Sequence, residues 1–134
     1  MAIGSARVAS AAPPEAAFFS FRQTSPKGGV MHFVFSVTNE AIIREMRAAL
    51  KDPSNPKRHV SGVVSPARVN YNPQWSFHLV PETAGLFEMQ IEVCDANVTY
   101  LEAHLDEVGG SFLPKSFWCP WSSEIESELP YPPK

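Results

Sequence analysis

Gln74-Trp75-Ser76-Phe77-His78-Leu79-Val80, the connection Pro81 to Gly85, and Phe87-Glu88-Met89-Gln90-Ile91-Glu92-Val93-Cys94 form the stretch whose reading decides the fold. Both runs alternate apolar and polar residues with the period of a half-buried strand. A short connection of this length suits an antiparallel hairpin. Pairing around it opposes Trp75 to Ile91, Phe77 to Met89 and Leu79 to Phe87. The other face then sets Gln74 against Glu92, Ser76 against Gln90 and His78 against Glu88. Both faces match in polarity, which is how a half-buried sheet selects its register.

Upstream, Phe18 to Arg22 is an aromatic run suited to a strand, and Ser25-Pro26-Lys27-Gly28-Gly29 is a turn cluster. Val30 to Val37 completes a second hairpin, with Phe33, Phe35 and Val37 on one face. Asn39 reads as a helix N-cap and Glu40 complements the helix dipole. Ile42, Ile43, Met46, Ala49 and Leu50 form the helix's apolar stripe, which Asp52-Pro53 ends. His59 to Val64 is a further strand, stopped at Pro66.

Downstream, Asp95 is expected to cap a second helix reaching Val108, with Val98, Leu101, Leu105 and Val108 inward and Gly109 as its stop. Phe112 to Trp121 is aromatic and broken by prolines. Ser123 with Glu126 resembles a capping box, so Glu124 to Leu129 is expected to form a short acidic helix. The expected fold is therefore α+β, in the order β-β-α-β-β-β-α. An antiparallel sheet of about five strands would carry two helices on one face and leave the other face polar.

The chain has 134 residues, 44% hydrophobic and 19% charged, with a net charge of −3. That length fits one domain, expected over residues 17–129. Residues 1–16 are expected to be a mobile leader, and 130–134 a proline-rich tail. The apolar content excludes a disordered chain, and no run is long enough to span a bilayer. The slightly acidic balance argues against a nucleic-acid partner. Ala-Pro-Pro-Glu at residues 12–15 interrupts any secretory h-region. The default location is cytoplasmic, or secreted if the sequence is a trimmed mature form.

Two cysteines cannot make a disulfide scaffold or a four-thiolate zinc site. Cys94 and Cys119 leave two readings open: a bridge in an oxidising compartment, or two buried thiols elsewhere. If they are free, a cysteine hydrolase would pair one of them with His78, oriented by Glu88 or Asp95, but no nucleophile signature surrounds either. His32, His59, His78 and His104 lack metal-ligand spacing, and Gly28-Gly29 lacks the helix and lysine of a phosphate cradle. No metal or other cofactor is expected.

Three binding surfaces remain. One is the polar sheet face of Gln74, Ser76, His78, Glu88, Gln90 and Glu92. Another is the aromatic segment of Trp118 and Trp121, rigid side chains that anchor partners or seal sheet edges. The third is Ser65 to Asn70, where Pro66 and Arg68 would offer a protease-inhibitor loop; its competing reading is an ordinary surface connection.

Three blocks carry a family resemblance: Asn72 to Leu79, Ile91 to Asn97, and Trp118 to Ser123. In that order the chain resembles, from about Phe18 to Leu129, a small domain at the N-terminus of a slime-mould calmodulin-binding protein and in short bacterial proteins so labelled. The resemblance implies a compact binding module with no catalytic set to carry across. Calmodulin itself is not the expected partner, because Arg44, Arg47 and Lys51 on the first helix are balanced by Glu40, Glu45 and Asp52. The expected function is non-enzymatic recognition of a protein or glycan through the polar sheet face or the proline-rich loops. A protease inhibitor is the alternative, and a cysteine-dependent hydrolase comes third.

Overall fold

The computed structural model describes residues 16–90 and 93–130. The expected leader, apart from Ala16, and the tail beyond Pro130 lie outside the described residues, as do Ile91 and Glu92. The strands are β1 (Ala17–Thr24), β2 (Val30–Val37), β3 (His59–Ser65), β4 (His78–Leu79), β5 (Gly85–Phe87), β6 (Val108–Gly109), β7 (Phe112–Pro114), β8 (Phe117–Trp118) and β9 (Ser123–Leu129). The helices are α1 (Glu40–Lys51) and α2 (Val98–Ala103). The fold is α+β with antiparallel sheets, and it has more strands than the five expected.

The first sheet has the order β9-β1-β2. The β1–β2 hairpin forms as its alternation predicts, pairing Phe19 with Phe35 and Phe21 with Phe33. All four rings are fully buried. Gly28, at φ +96°, lets the connecting turn close through its N–H to Ser25 O at 2.8 Å. Asn39 caps α1 by accepting the Ile42 N–H at 3.1 Å, and Ile43, Met46 and Ala49 are buried. At the other end Arg58 donates to Ala49 O (2.6 Å) and Asp52 O (3.2 Å), so a cation sits where the helix dipole is negative. The same guanidinium reaches Ile125 O (3.3 Å), tying α1 to β9.

The expected hairpin between Gln74–Val80 and Phe87–Cys94 does not form. Strand β3 takes both segments instead, pairing Val64 with Leu79 and, separately, His59 with Phe87. A 3-10 turn, Pro81–Thr83, offsets the two halves, and Thr83 Oγ1 accepts the Val63 N–H at 2.9 Å. Alternation states which side chains are buried but not which strand lies alongside. Trp75 and Phe77 are indeed buried, whereas Met89 and Val93 are 71% and 83% exposed. The core is also not one slab with helices beneath. It lies between the first sheet and β3 with its partners, where Trp118 of β8 meets Phe21, Phe33 and Phe77 at centroid distances of 5.8, 5.5 and 5.6 Å.

Two local signatures also give way to tertiary pairing. Glu124–Leu129 is no helix but belongs to β9, antiparallel to β1, with a bulge between Ile125 and Ser127. Ser123, expected as a cap, accepts the Val60 N–H (2.9 Å) and donates to Pro120 O (2.7 Å). The period-2 pattern Ser-Glu-Ile-Glu-Ser-Glu-Leu fits this strand. Helix α2 is shorter than expected and is capped by Asn97, which accepts the Tyr100 N–H at 2.7 Å, not by Asp95.

Gln23, 1% exposed, sets where α2 begins: its Oε1 accepts the Val98 N–H (2.8 Å) and its Nε2 donates to Ala96 O (3.4 Å). Gln23→Leu keeps the bulk but orphans the buried Val98 donor, so it should cost about 1–3 kcal/mol in urea unfolding. An unchanged midpoint would contradict this role.

Candidate functional site

Of the six polar residues expected on one sheet face, Glu92 lies outside the described residues, and the other five do not share one face. Gln74 is exposed in the 66–77 loop, and Glu88 and Gln90 follow the end of β5. Ser76 donates from N and Oγ to the two carboxylate oxygens of Glu102 on α2, at 2.8 and 2.6 Å. His78 Nδ1 lies 2.7 Å from Ala67 O, and a carbonyl only accepts, so Nδ1 carries the proton. His78 is therefore committed to its own loop and not to Glu88. Arg68 folds back as well, donating to Ser76 Oγ at 3.0 Å and to Pro73 O. Pro66 remains exposed, but the basic side chain an inhibitor would present is held by its own loop.

That loop seals an edge. Asn72 Oδ1 accepts the Val34 N–H (3.0 Å) and Trp75 Nε1 donates to His32 O (2.9 Å), satisfying groups that β2 would otherwise offer to another strand. Tyr71 packs edge-on against Phe18 at 5.1 Å, over the outer face of the first sheet. Ser20 and Ser36 on that face are 5% and 4% exposed, so it is not left bare. Ser20 Oγ donates to Glu126 Oε2 (3.0 Å), the same oxygen that lies 2.8 Å from His32 Nδ1. The carboxylate stands between hydroxyl and imidazole, the wrong order for a histidine to activate a serine.

Cys94 and Cys119 are joined in a disulfide, with Cα atoms 5.2 Å apart and exposures of 2% and 0%. The Cys–His arrangement therefore has no thiolate to use. The histidines are dispersed: His59 Nδ1 bonds Ser123 O (2.7 Å) and His104 Nδ1 bonds Tyr100 O (2.8 Å). Among the described residues no three His, Cys, Asp or Glu side chains converge, and no helix is long and apolar enough to cross a membrane. A cleft of about 650 Å³ lies between α1 and the ends of β1 and β9, lined by Phe18, Ile43, Arg44, Arg47, Glu128 and Leu129 among others. Arg47 spans it with two bonds to Glu128, 3.0 and 2.8 Å, which raise the arginine's pKa.

The two tryptophans of the aromatic segment part company. Trp118 is fully buried, with its indole N–H given to Ala96 O at 2.9 Å. Trp121 is 36% exposed. Its ring sits 5.8 Å from Phe87 and 6.3 Å from His59, which are themselves 5.2 Å apart. Its backbone N–H is fixed by Asp95 Oδ1 at 2.9 Å. Phe87 and Asp95 both touch Trp121, and the chain between them carries the exposed Met89 and Val93. The result is an aromatic ledge held by three separate segments.

The ledge and its support lie within a stretch that matches one known family. The chain belongs to the BP-74 N-terminal domain family, which matches residues 15–132. No curated protein and no solved structure matches the chain. In this family member each of the three sequence blocks supplies framework residues. Asn72 and Trp75 cover the β2 edge, Asn97 caps α2, the cysteines are bridged, and Trp118 fills the core. Trp121 alone among its tryptophans shows more than a tenth of its surface. No sequence signal marks His59, Phe87 and Asp95 as a binding set, because they meet Trp121 only through the fold.

Burial raises the Tyr71 phenol above its ordinary value of 10.0. The neutral form is the one favoured in the fold, so the associated stability is full below that value and declines as pH rises through the raised one. Phe18→Ala should open the packing and bring the Tyr71 titration down in an ultraviolet tyrosinate titration. An unaltered curve would show that Phe18 is not what buries it.

Proposed function

We propose that the domain is a non-enzymatic recognition module and that its partner is a protein, engaged through the Trp121 ledge. The observation that carries this reading is a tryptophan held rigidly at its backbone yet left partly uncovered. Interface hot spots are rich in such side chains, because they supply large contact area at little entropic cost on docking. Met89, two residues after Phe87, adds an exposed and adaptable apolar side chain. Asp95 touches the ledge, and Glu88 directly follows Phe87, so the fitting partner inserts an apolar side chain flanked by basic ones. The polar groups that would suggest chemistry are spent on structure: Ser76 on Glu102, His78 on Ala67, the cysteines on each other. Arg68 is likewise occupied, so nothing favours the inhibitor loop.

The test uses the oxidised protein as bait, with Trp121→Ser and Arg68→Ala as variants whose fold is checked by circular dichroism. Trp121→Ser should weaken the captured partner's affinity by about 30-fold or more, the equivalent of a hot-spot loss near 2 kcal/mol, while Arg68→Ala leaves it intact. Binding that follows Arg68 instead, or that is destroyed by periodate and survives proteolysis of the extract, would contradict the reading.

A further inference from the structure

We propose that Asn97 is an N-glycosylation site, used as the chain passes through an oxidising secretory compartment. The sequence has five asparagines, and only Asn97-Val98-Thr99 has the form asparagine, a residue other than proline, then a hydroxyl residue. Such a triplet keeps a glycan only where the finished fold leaves it at the surface, so the structure decides.

The fold anchors the middle of the triplet and leaves its flanks accessible. Val98 is fully buried, and its N–H is held by Gln23 Oε1 at 2.8 Å. On either side Asn97 is half-buried and Thr99 exposed. Asn97 Oδ1 accepts the Tyr100 N–H at 2.7 Å, whereas Nδ2 makes no hydrogen bond among the described residues. Only the carbonyl end of an amide can accept, so that bond fixes which end is occupied and which is open. A sugar on Nδ2 leaves Oδ1, and with it the bond to Tyr100, intact.

Two further observations point the same way. Tyr100 stands three residues on, a spacing that puts side chains on one helical side, and it is 49% exposed. His104 stacks on its ring at 3.9 Å and Phe112 meets it edge-on at 5.4 Å. A tyrosine fixed in this way and half uncovered offers the first sugar an apolar ring to lie against. The Cys94–Cys119 bridge is the other: disulfides persist in oxidising compartments, the secretory route among them.

The co-reactant is a lipid-pyrophosphate-linked oligosaccharide. Asn97 Nδ2 attacks the anomeric carbon of its first sugar, forming a C–N bond as the C–O bond to pyrophosphate breaks. The electron pair leaves with the lipid pyrophosphate, and the amide nitrogen gives up one of its two protons. Nothing is oxidised or reduced. The transfer takes place on the unfolded chain, where the Thr99 hydroxyl is free; in the fold it donates to Met31 Sδ at 2.8 Å.

Peptide mass spectrometry of the full-length protein from its natural source tests this, after a glycan-releasing amidase in heavy-oxygen water has converted glycosylated asparagine to labelled aspartate. The label should appear at Asn97. An unmodified Asn97 in protein whose cysteines are bridged overturns the site. Expression behind a cleavable secretion signal in eukaryotic cells supplies a second reading, in which the secreted wild type should migrate more slowly on a gel until the amidase removes the shift. Asn97→Asp, which keeps an oxygen cap for α2, and Thr99→Val, which keeps Asn97, should each lose the shift, while Thr99→Ser retains it. A secreted wild type without the shift, or a shift that survives in Thr99→Val, is equally fatal to the proposal. If one variant fails to fold and is retained in the cell, the other still decides. No partner enters these readings, so they stand apart from the Trp121→Ser binding test in both directions.

Discussion

The indole of Trp118 must be buried and must also give its N–H to something, and most of the structure follows from how both demands are met. Its ring closes the gap between the phenylalanines of the first sheet and Phe77. Its N–H finds Ala96 O, which also accepts from Gln23 of β1. One carbonyl therefore brings together β1, β8 and the entry to α2. With Trp118 inward, Cys119 meets Cys94 and the chain turns at Pro120, so Trp121 emerges at the surface. The candidate contact residue faces outward because its neighbour three positions earlier cannot.

A second constraint explains where so many of the polar side chains are used. A small fold with several short strands has edges to protect, and each unmet N–H or carbonyl is costly. Asn72 and Trp75 serve the β2 edge, Thr83 serves β3, and Ser123 serves β3 from the other chain end. Arg68, Ser76 and Glu102 brace the loop that carries two of these. Residues that resemble catalytic types in the sequence are thus largely the hydrogen-bond partners of displaced backbone.

What can be read from sequence is what short-range chemistry decides. The β1–β2 hairpin, α1 with its Asn39 cap, and β3 from His59 all carry their own period and their own stop signals. The long alternating stretch is legible only in part. Trp75, Phe77 and Leu79 are buried as their spacing implies, but β3 intervenes as the neighbour, leaving Met89 exposed instead of opposite Phe77. Ser123 and Glu126 match a helix signature, yet pairing with β1 supplies a whole ladder of bonds where a cap would supply two. Trp121 stands out in the sequence as an aromatic on an irregular segment. Its companions His59, Phe87 and Asp95 come from distant parts of the chain, and no local pattern links them.

The most direct measurement is hydrogen exchange at the three indole N–H groups, followed by two-dimensional NMR of the oxidised protein. Trp118, bonded to Ala96 O, and Trp75, bonded to His32 O, should exchange slowly, and Trp118 should approach the rate of global unfolding. Trp121 should exchange fast. A protected Trp121 indole, or a Trp118 indole that exchanges freely, would contradict the placement on which the whole account stands.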